Sequence, residues 1–339
     1  MKLGLMLGYS GAKMKLDIPF IQEAEACGFD SVWTAEAWGS DAVSPLAWIG
    51  AHTKTIKLGT AIMQLPGRSP ANTAMTAMTL DELSGGRMLL GLGTSGPQVV
   101  EGWHGRPFTK TLTWMREYIT IVKTIFAREE GLTFDGFHYQ LPFEGPGSTH
   151  QGKALKSILH GRPDIPIYTG SMAPKSQQMS AELADGCILT CMHPEYPNVL
   201  EDNFKIGLER ANKPRSAFEL CPTVAVGVGP KEFIRPMLKK SLALYIGGMG
   251  SKKKNFYKSY VDKVGFEAEA NKIQDLYLDG KRKEAVAAVP DAMVDAFNLI
   301  GSPEEIKDRF AVWKESGADH LLIGCQQIEA VRLLAELNS

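Results

Sequence analysis

The chain is 339 residues long, more than one average domain and within the range of a single α/β barrel carrying insertions. Hydrophobic residues make up 44% and charged residues 22%, with a formal net charge of −1, which argues against nucleic acid or a membrane surface as a partner. Five scattered cysteines indicate neither a disulfide framework nor a metal cage.

The opening "MKLGLMLGYSGAK" alternates like a strand and fits neither a signal peptide nor a membrane span, which predicts a cytoplasmic protein. Asp17 then caps a helix carrying Phe20, Ile21, Ala24 and Cys27 that stops at Gly28. The second strand, "SVWTAEA", precedes a helix with Ser44 and Pro45 as cap and first-turn pair. After the third strand, "IKLGTAIMQL", Ser69 and Pro70 open a helix with Ala71, Ala74, Met75 and Met78 on one face, ended by Gly85-Gly86. The fourth strand is "RMLLGLG". The segment "FTKTLTWMREYITIVKTIFA" places Leu112, Met115, Ile119 and Val122 in helical register, and "TFDGFHYQLP" reads as a hairpin turning at Asp135-Gly136. Residues 143–164 read as a loop.

Four further apolar runs, "IPIYTG", "CILTCM", "CPTVAVGVG" and "HLLIG", bring the strands to eight. Cys187 and Cys191 share one face of the sixth strand and read as core packing. Residues 230–300 exceed a single crossover and read as a helical insertion with a solvated Lys252–Lys254 run, after which Ser302-Pro303-Glu304-Glu305 forms a capping box. This alternation predicts an α/β fold, a (β/α)8 TIM barrel with insertions, as one domain over 1–339 with the helical insertion at about 230–300.

Gly91, Gly93 and Gly96 carry the spacing G-x-G-x-x-G of a dinucleotide loop. In that fold the motif follows the first strand, and an acidic residue about 20 positions on ends the second strand. Here it follows the fourth, and Glu117 lies in a helical pattern, so the context opposes NAD. The glycines instead allow backbone to approach a flat ligand at the C-terminal rim of a barrel.

Four phrases, "LSGGRMLLGLGTSG", "IPIYTGSMAP", "AELADGCIL" and "PDAMVDAFNLIGSPEEI", together resemble the bacterial luciferase-like superfamily. The likeness is to its coenzyme F420-dependent branch, most closely the methylenetetrahydromethanopterin-reductase-like proteins, and it spans nearly the whole chain. It implies a homodimeric TIM barrel that holds the deazaflavin F420, or alternatively FMN, at its C-terminal mouth and acts on a small-molecule substrate. By this resemblance "LGTAIMQ" matches a segment with a non-prolyl cis peptide, falling between Ala61 and Ile62, and Ala61, Ile62 and Met63 form a bulge behind the ring. Thr94, Ser95 and Gly96 match the loop beside the cofactor. Thr169, Gly170, Ser171, Met172 and Ala173 match its phosphate loop, where free amides and a helix dipole favour an anion, with Lys175 nearby.

One departure bears on the chemistry. Where the F420 enzymes often carry Asp-His at the end of strand two, the His acting as base in alcohol oxidation, this chain has Glu36-Ala37-Trp38. Glu36 takes the acidic partner's place and no imidazole follows. In the sugar-phosphate dehydrogenase branch a glutamate stands where this chain has Gly96. Oxidising an alcohol needs a proton acceptor within hydrogen-bond reach, so reduction of a C=C or C=N bond is expected instead. Tyr9, Glu36, Trp38, Trp103 and His104 fall at the mouth. Glu36, Trp38 and His104 are the catalytic candidates, with the two tryptophans as walls and His104 as proton donor. The remaining histidines, His52, His138, His150, His160, His193 and His320, show no ligand spacing, and no metal is expected. Two other readings are an FMN-dependent monooxygenase of the same superfamily and a non-catalytic F420- or flavin-binding protein.

Overall fold

The computed structural model describes residues 1–339. Eight strands build the barrel: β1 (Lys2–Gly8), β2 (Ser31–Thr34), β3 (Lys57–Thr60), β4 (Met88–Gly93), β5 (Ile167–Gly170), β6 (Gly186–Thr190), β7 (Glu219–Val228) and β8 (His320–Gly324). Each pairs in parallel with the next in chain order, and β8 closes onto β1. The fold is the expected (β/α)8 TIM barrel. No helix is long and apolar enough to cross a membrane.

Alternation along each strand divides the core in two. Leu3, Leu5, Val32 and Leu58 face outward and pack under the helices, with Ile21 and Ala24 of the helix Ile18–Ala26 and Leu46 and Ile49 of the helix Val43–His52. The inner face is filled by Trp33, Leu89, Tyr168, Ile188, Cys221 and Leu322. Trp33 occupies the axis, edge-on to Tyr168 at 5.4 Å between ring centroids. Neighbouring strands make room for it: a Cβ on Gly59 would stand 2.2 Å from Trp33 Cε3, and one on Gly4 would stand 2.8 Å from Trp33 Nε1. An alanine in place of Trp33 would leave a cavity, costing about 3–5 kcal/mol.

Below Trp33, at the N-terminal end, lies a polar floor. Trp33 Nε1 donates to Ser31 Oγ at 2.6 Å, which lies 2.8 Å from His320 Nε2. Lys2 Nζ and Tyr168 OH both donate to the Glu219 carboxylate. Burial alone would raise this carboxyl, but His320 and Lys2 more than offset it and hold it at about 2.

Asp17, Ser69 and Ser302 cap their helices as expected, and the Ser302–Glu305 capping box is complete. Ser44 is not a cap. Asp41 Oδ1 accepts from the amides of both Val43 and Ser44, which starts that helix at Val43. In the helix Pro70–Ser84, Met75 is exposed, because the buried face runs through Thr73, Ala74, Ala77, Met78, Leu80 and Asp81. The hairpin pairs Asp135 with Gln140, so its turn is Gly136–Tyr139 and not Asp135-Gly136. Cys191 lies just past β6 with φ of 63°, buried but off the strand, and both it and Cys187 are free thiols. Between β7 and β8, helical segments run from Lys231 to Phe297, and a short unforeseen strand, Leu299–Gly301, pairs with Val226–Val228.

Candidate active site

At the C-terminal mouth, β3 ends at Thr60 and the chain passes through a cis peptide between Ala61 and Ile62, where the resemblance implies one. It then resumes as the short strand Met63–Gln64 beside Leu92–Gly93. Ala61, Ile62 and Met6 are half-buried and lie over the filled barrel interior, forming an apolar shelf open to solvent. Two of the three motif glycines are explained by this bulge. A Cβ on Gly91 would stand 1.8 Å from the Thr60 carbonyl oxygen, and one on Gly93 would stand 2.6 Å from Ile62 Cγ1. Across the shelf, a Cβ on Gly170 would stand 3.2 Å from Ile62 Cγ2. Ile62 thus spans from the end of β4 to the end of β5. Gly96 has a different role, standing at the N-cap of the helix Pro97–Gly102.

Glu36, just past β2, is committed to the bulge. Its side chain is 7% exposed. Oε1 accepts from the Gln64 amide and from Arg68 Nη1, both at 2.7 Å, and Oε2 accepts from the Ala42 amide at 3.0 Å. The Glu36 amide also donates to the Ile62 carbonyl at 3.3 Å. One carboxylate therefore ties the β2 loop to the bulge and to Arg68, and its oxygens already serve three donors. Gln64 and Arg68, which sequence reasoning missed, complete this anchor; Gln64 Nε2 donates to the Ala37 carbonyl at 2.7 Å.

Two rim loops flank the shelf. Thr94, Ser95 and Gly96 are half-buried, with Ser95 at φ of 62°. In the second loop Thr169 and Ser171 turn their side chains inward: Thr169 Oγ1 donates to Ser180 Oγ at 2.7 Å and lies 3.1 Å from Ser171 Oγ. Gly170 is exposed and Met172 and Ala173 are half-buried at the rim, while the Ser171 amide donates to the Ile188 carbonyl at 3.3 Å. Ala173 is the N-cap of the helix Pro174–Leu183 without a side-chain cap, and Lys175 is exposed in its first turn.

Aromatic side chains stand around the opening. Tyr9 and Trp38 are 52% and 62% exposed with ring centroids 6.4 Å apart, and Trp103 is 66% exposed. His104 follows Trp103 and lies close to Gly67, whose own position adjoins Glu36 Oε1. Its Nε2 is buried and has no hydrogen-bond partner. Buried ring nitrogens are ordinarily paired, so this one is an exception, and it reaches a bound molecule only when the ring turns toward the mouth. The apolar shelf, the backbone-lined loop at an uncapped helix start and the unpaired imidazole nitrogen fit a planar ring with an anionic tail.

Known proteins resemble this chain in sequence and in fold. The family model for luciferase-like monooxygenase matches residues 6–320. A Mycobacterium tuberculosis protein, provisionally named a coenzyme F420-dependent oxidoreductase, is 42% identical over 342 aligned positions that cover 99% of both chains. The 5,10-methylenetetrahydromethanopterin reductase of Archaeoglobus fulgidus is 28% identical, covering 90% of this chain and 88% of its own. Among solved structures, the coenzyme F420-dependent tetrahydromethanopterin reductase of Methanopyrus kandleri superposes with a TM-score of 0.79 at 20% identity, covering 99% of this chain and 97% of that one.

Proposed function

The chain belongs to the luciferase-like monooxygenase family, and from that premise we propose that it is an F420-dependent oxidoreductase that reduces a C=C or C=N bond of a small organic substrate. The cofactor assignment draws on the 42% identical relative, which matches end to end. The direction of reaction rests on one observation, the Glu36 carboxylate. With three donors already on its oxygens it is not poised to take a proton from an alcohol.

Reduced F420, when bound, supplies a hydride. The protein's own part is placement and one proton. The shelf of Met6, Ala61 and Ile62 would hold the ring, and the loop 170–173 at the start of the helix Pro174–Leu183 would hold the anionic tail through the amides of Met172 and Ala173, since that of Ser171 already donates to the Ile188 carbonyl. Trp38 and Trp103 wall the space above the ring and exclude water, which fixes the acceptor carbon near the donor. With its ring turned toward the mouth, His104 Nε2 would deliver the proton that completes the reduction. Thr94, Ser95 and Gly96 border the ring, and the protein works as a homodimer.

The test is titration of the purified protein with F420 and, separately, with FMN, followed by anaerobic oxidation of F420H2 with unsaturated ketones and imines as acceptors. F420 binding with acceptor-dependent turnover is expected, and His104→Ala should lower the turnover by about 10² while leaving F420 affinity unchanged. Preferential FMN binding with oxygen uptake by the reduced complex would replace this reading with the monooxygenase. F420 binding without hydride exchange to any acceptor would replace it with a carrier protein.

A further inference from the structure

The polar floor brings together three potential metal ligands from two strands. Glu219 and Cys221 are two residues apart on β7 and so share its inner face, and the β7–β8 register sets His320 alongside Cys221. A carboxylate oxygen of Glu219, Cys221 Sγ and a ring nitrogen of His320 all lie within 4.8 Å of one another. Cys221 is fully buried and His320 is 1% exposed. His320 Nδ1 is buried without a hydrogen-bond partner and faces Glu219 Oε2 at 3.6 Å, beyond hydrogen-bonding range. Its other nitrogen is held by Ser31 Oγ, which fixes the ring plane with Nδ1 toward the carboxylate.

We propose that Glu219, Cys221 and His320 form a binding site for a divalent transition metal, zinc by its donor chemistry, at the floor of the barrel. One sulfur, one imidazole nitrogen and one carboxylate oxygen are a zinc donor set with the fourth position left to water. Bringing the three atoms to bonding distance asks each to move by roughly half an ångström. Metal-bound histidines are held in orientation by a hydrogen bond on the far ring nitrogen, a part that the Ser31 hydroxyl oxygen plays here by accepting from it. The way in is from the floor, where Glu219 and Lys2 are 23% and 45% exposed. Lys2 now occupies Glu219 Oε1, while Oε2, the oxygen that faces His320, accepts from the Tyr168 hydroxyl at 3.0 Å. The incoming dication shares Oε2 with the Tyr168 hydroxyl and its charge loosens the Lys2 ammonium from Oε1, and the Cys221 thiol proton is released to water. The metal then joins β7 to β8, with Trp33 separating it from the mouth.

The full-length protein, stripped with a chelator, is titrated with Co2+ and then Zn2+. Expected are one equivalent of Co2+ with a thiolate-to-cobalt absorption band, its displacement by Zn2+, and a higher melting temperature with Zn2+. Cys221→Ser should abolish the band, His320→Gln should weaken binding at least about tenfold, and Cys187→Ser should keep the band. Lys2→Met, which removes the competing ammonium, should tighten binding. Absence of the band in the unaltered protein, its persistence in Cys221→Ser, or unchanged affinity in His320→Gln would overturn the proposal.

Discussion

Replacing Gly93 with alanine isolates the contact between β4 and the shelf. Gly93 does not have a positive φ, so alanine suits its backbone and the effect is steric alone. The new methyl would lie 2.6 Å from Ile62 Cγ1 and 2.7 Å from Cδ1. Carbon atoms prefer about 3.5–4.0 Å, so roughly 1 Å must be recovered. Overpacking of this kind costs about 1–3 kcal/mol. Ile62 is half-buried at an open mouth and relieves the clash by rotating outward, which puts the stability loss near 1 kcal/mol. The displaced side chain then intrudes on the proposed ring site, and F420 affinity should fall about tenfold, or 1.4 kcal/mol. Ile62→Ala removes both colliding atoms and should restore much of that affinity in the double variant. Fluorescence titration and thermal melts of the unaltered protein, both single variants and the double complete the cycle. If the two single effects on affinity simply add within about 0.5 kcal/mol, the contact does not shape the site.

Gly91→Ala meets the Thr60 carbonyl, a backbone atom that cannot swing aside, and should cost more than about 3 kcal/mol, seen as a much lower melting temperature or failure to accumulate folded. Glu36→Gln keeps the shape but opposes one amide donor with another and strips the charge facing Arg68; a loss of about 3 kcal/mol in stability together with weaker F420 binding is expected, and an unchanged melt would remove the anchor. In metal-free protein the Glu219 carboxyl sits at about 2, below its ordinary 4.5, so its stabilisation is complete above pH 4.5 and fades as pH falls toward 2. Lys2 is half in solvent, which reduces the upper limit of roughly 3 kcal/mol to about 1–2 kcal/mol. Acid unfolding of Lys2→Met should begin at higher pH than that of the unaltered protein, and coincident curves would dismiss the pairing.

The barrel was legible because each strand and helix repeats a local grammar. Asp17, Ser69 and Ser302 announce helix starts, and the apolar runs are short enough to be strands. The strand Leu299–Gly301 has only three residues between a helix and a cap, too few to show a period. Ser44 lost to Asp41 because one carboxylate oxygen reaches two amides, which a hydroxyl three residues later does not pre-empt. Of the candidate site, Gly91, Gly93 and Gly96 pointed to the rim by themselves, and the rest came through the resemblance. Glu36 draws its donors from Ala42, Gln64 and Arg68, positions that the β3 bulge brings together and no spacing reveals. Thr169 and Ser171 match the phosphate loop by resemblance, and their hydroxyls turn inward to Ser180 and to each other, a packing that no local spacing announces. Glu219 and His320 are a hundred positions apart and meet only through the strand register.

The indole on the barrel axis also governs traffic. With Trp33 wedged between Gly4 and Gly59 there is no tunnel from end to end, so whatever visits the upper rim comes and goes through a single doorway. Two molecules stacked there must leave last in, first out: a substrate lying above a ring departs before the ring can be exchanged. Such a queue gives a compulsory-order rate law, with inhibition patterns that differ for the upper and lower occupant.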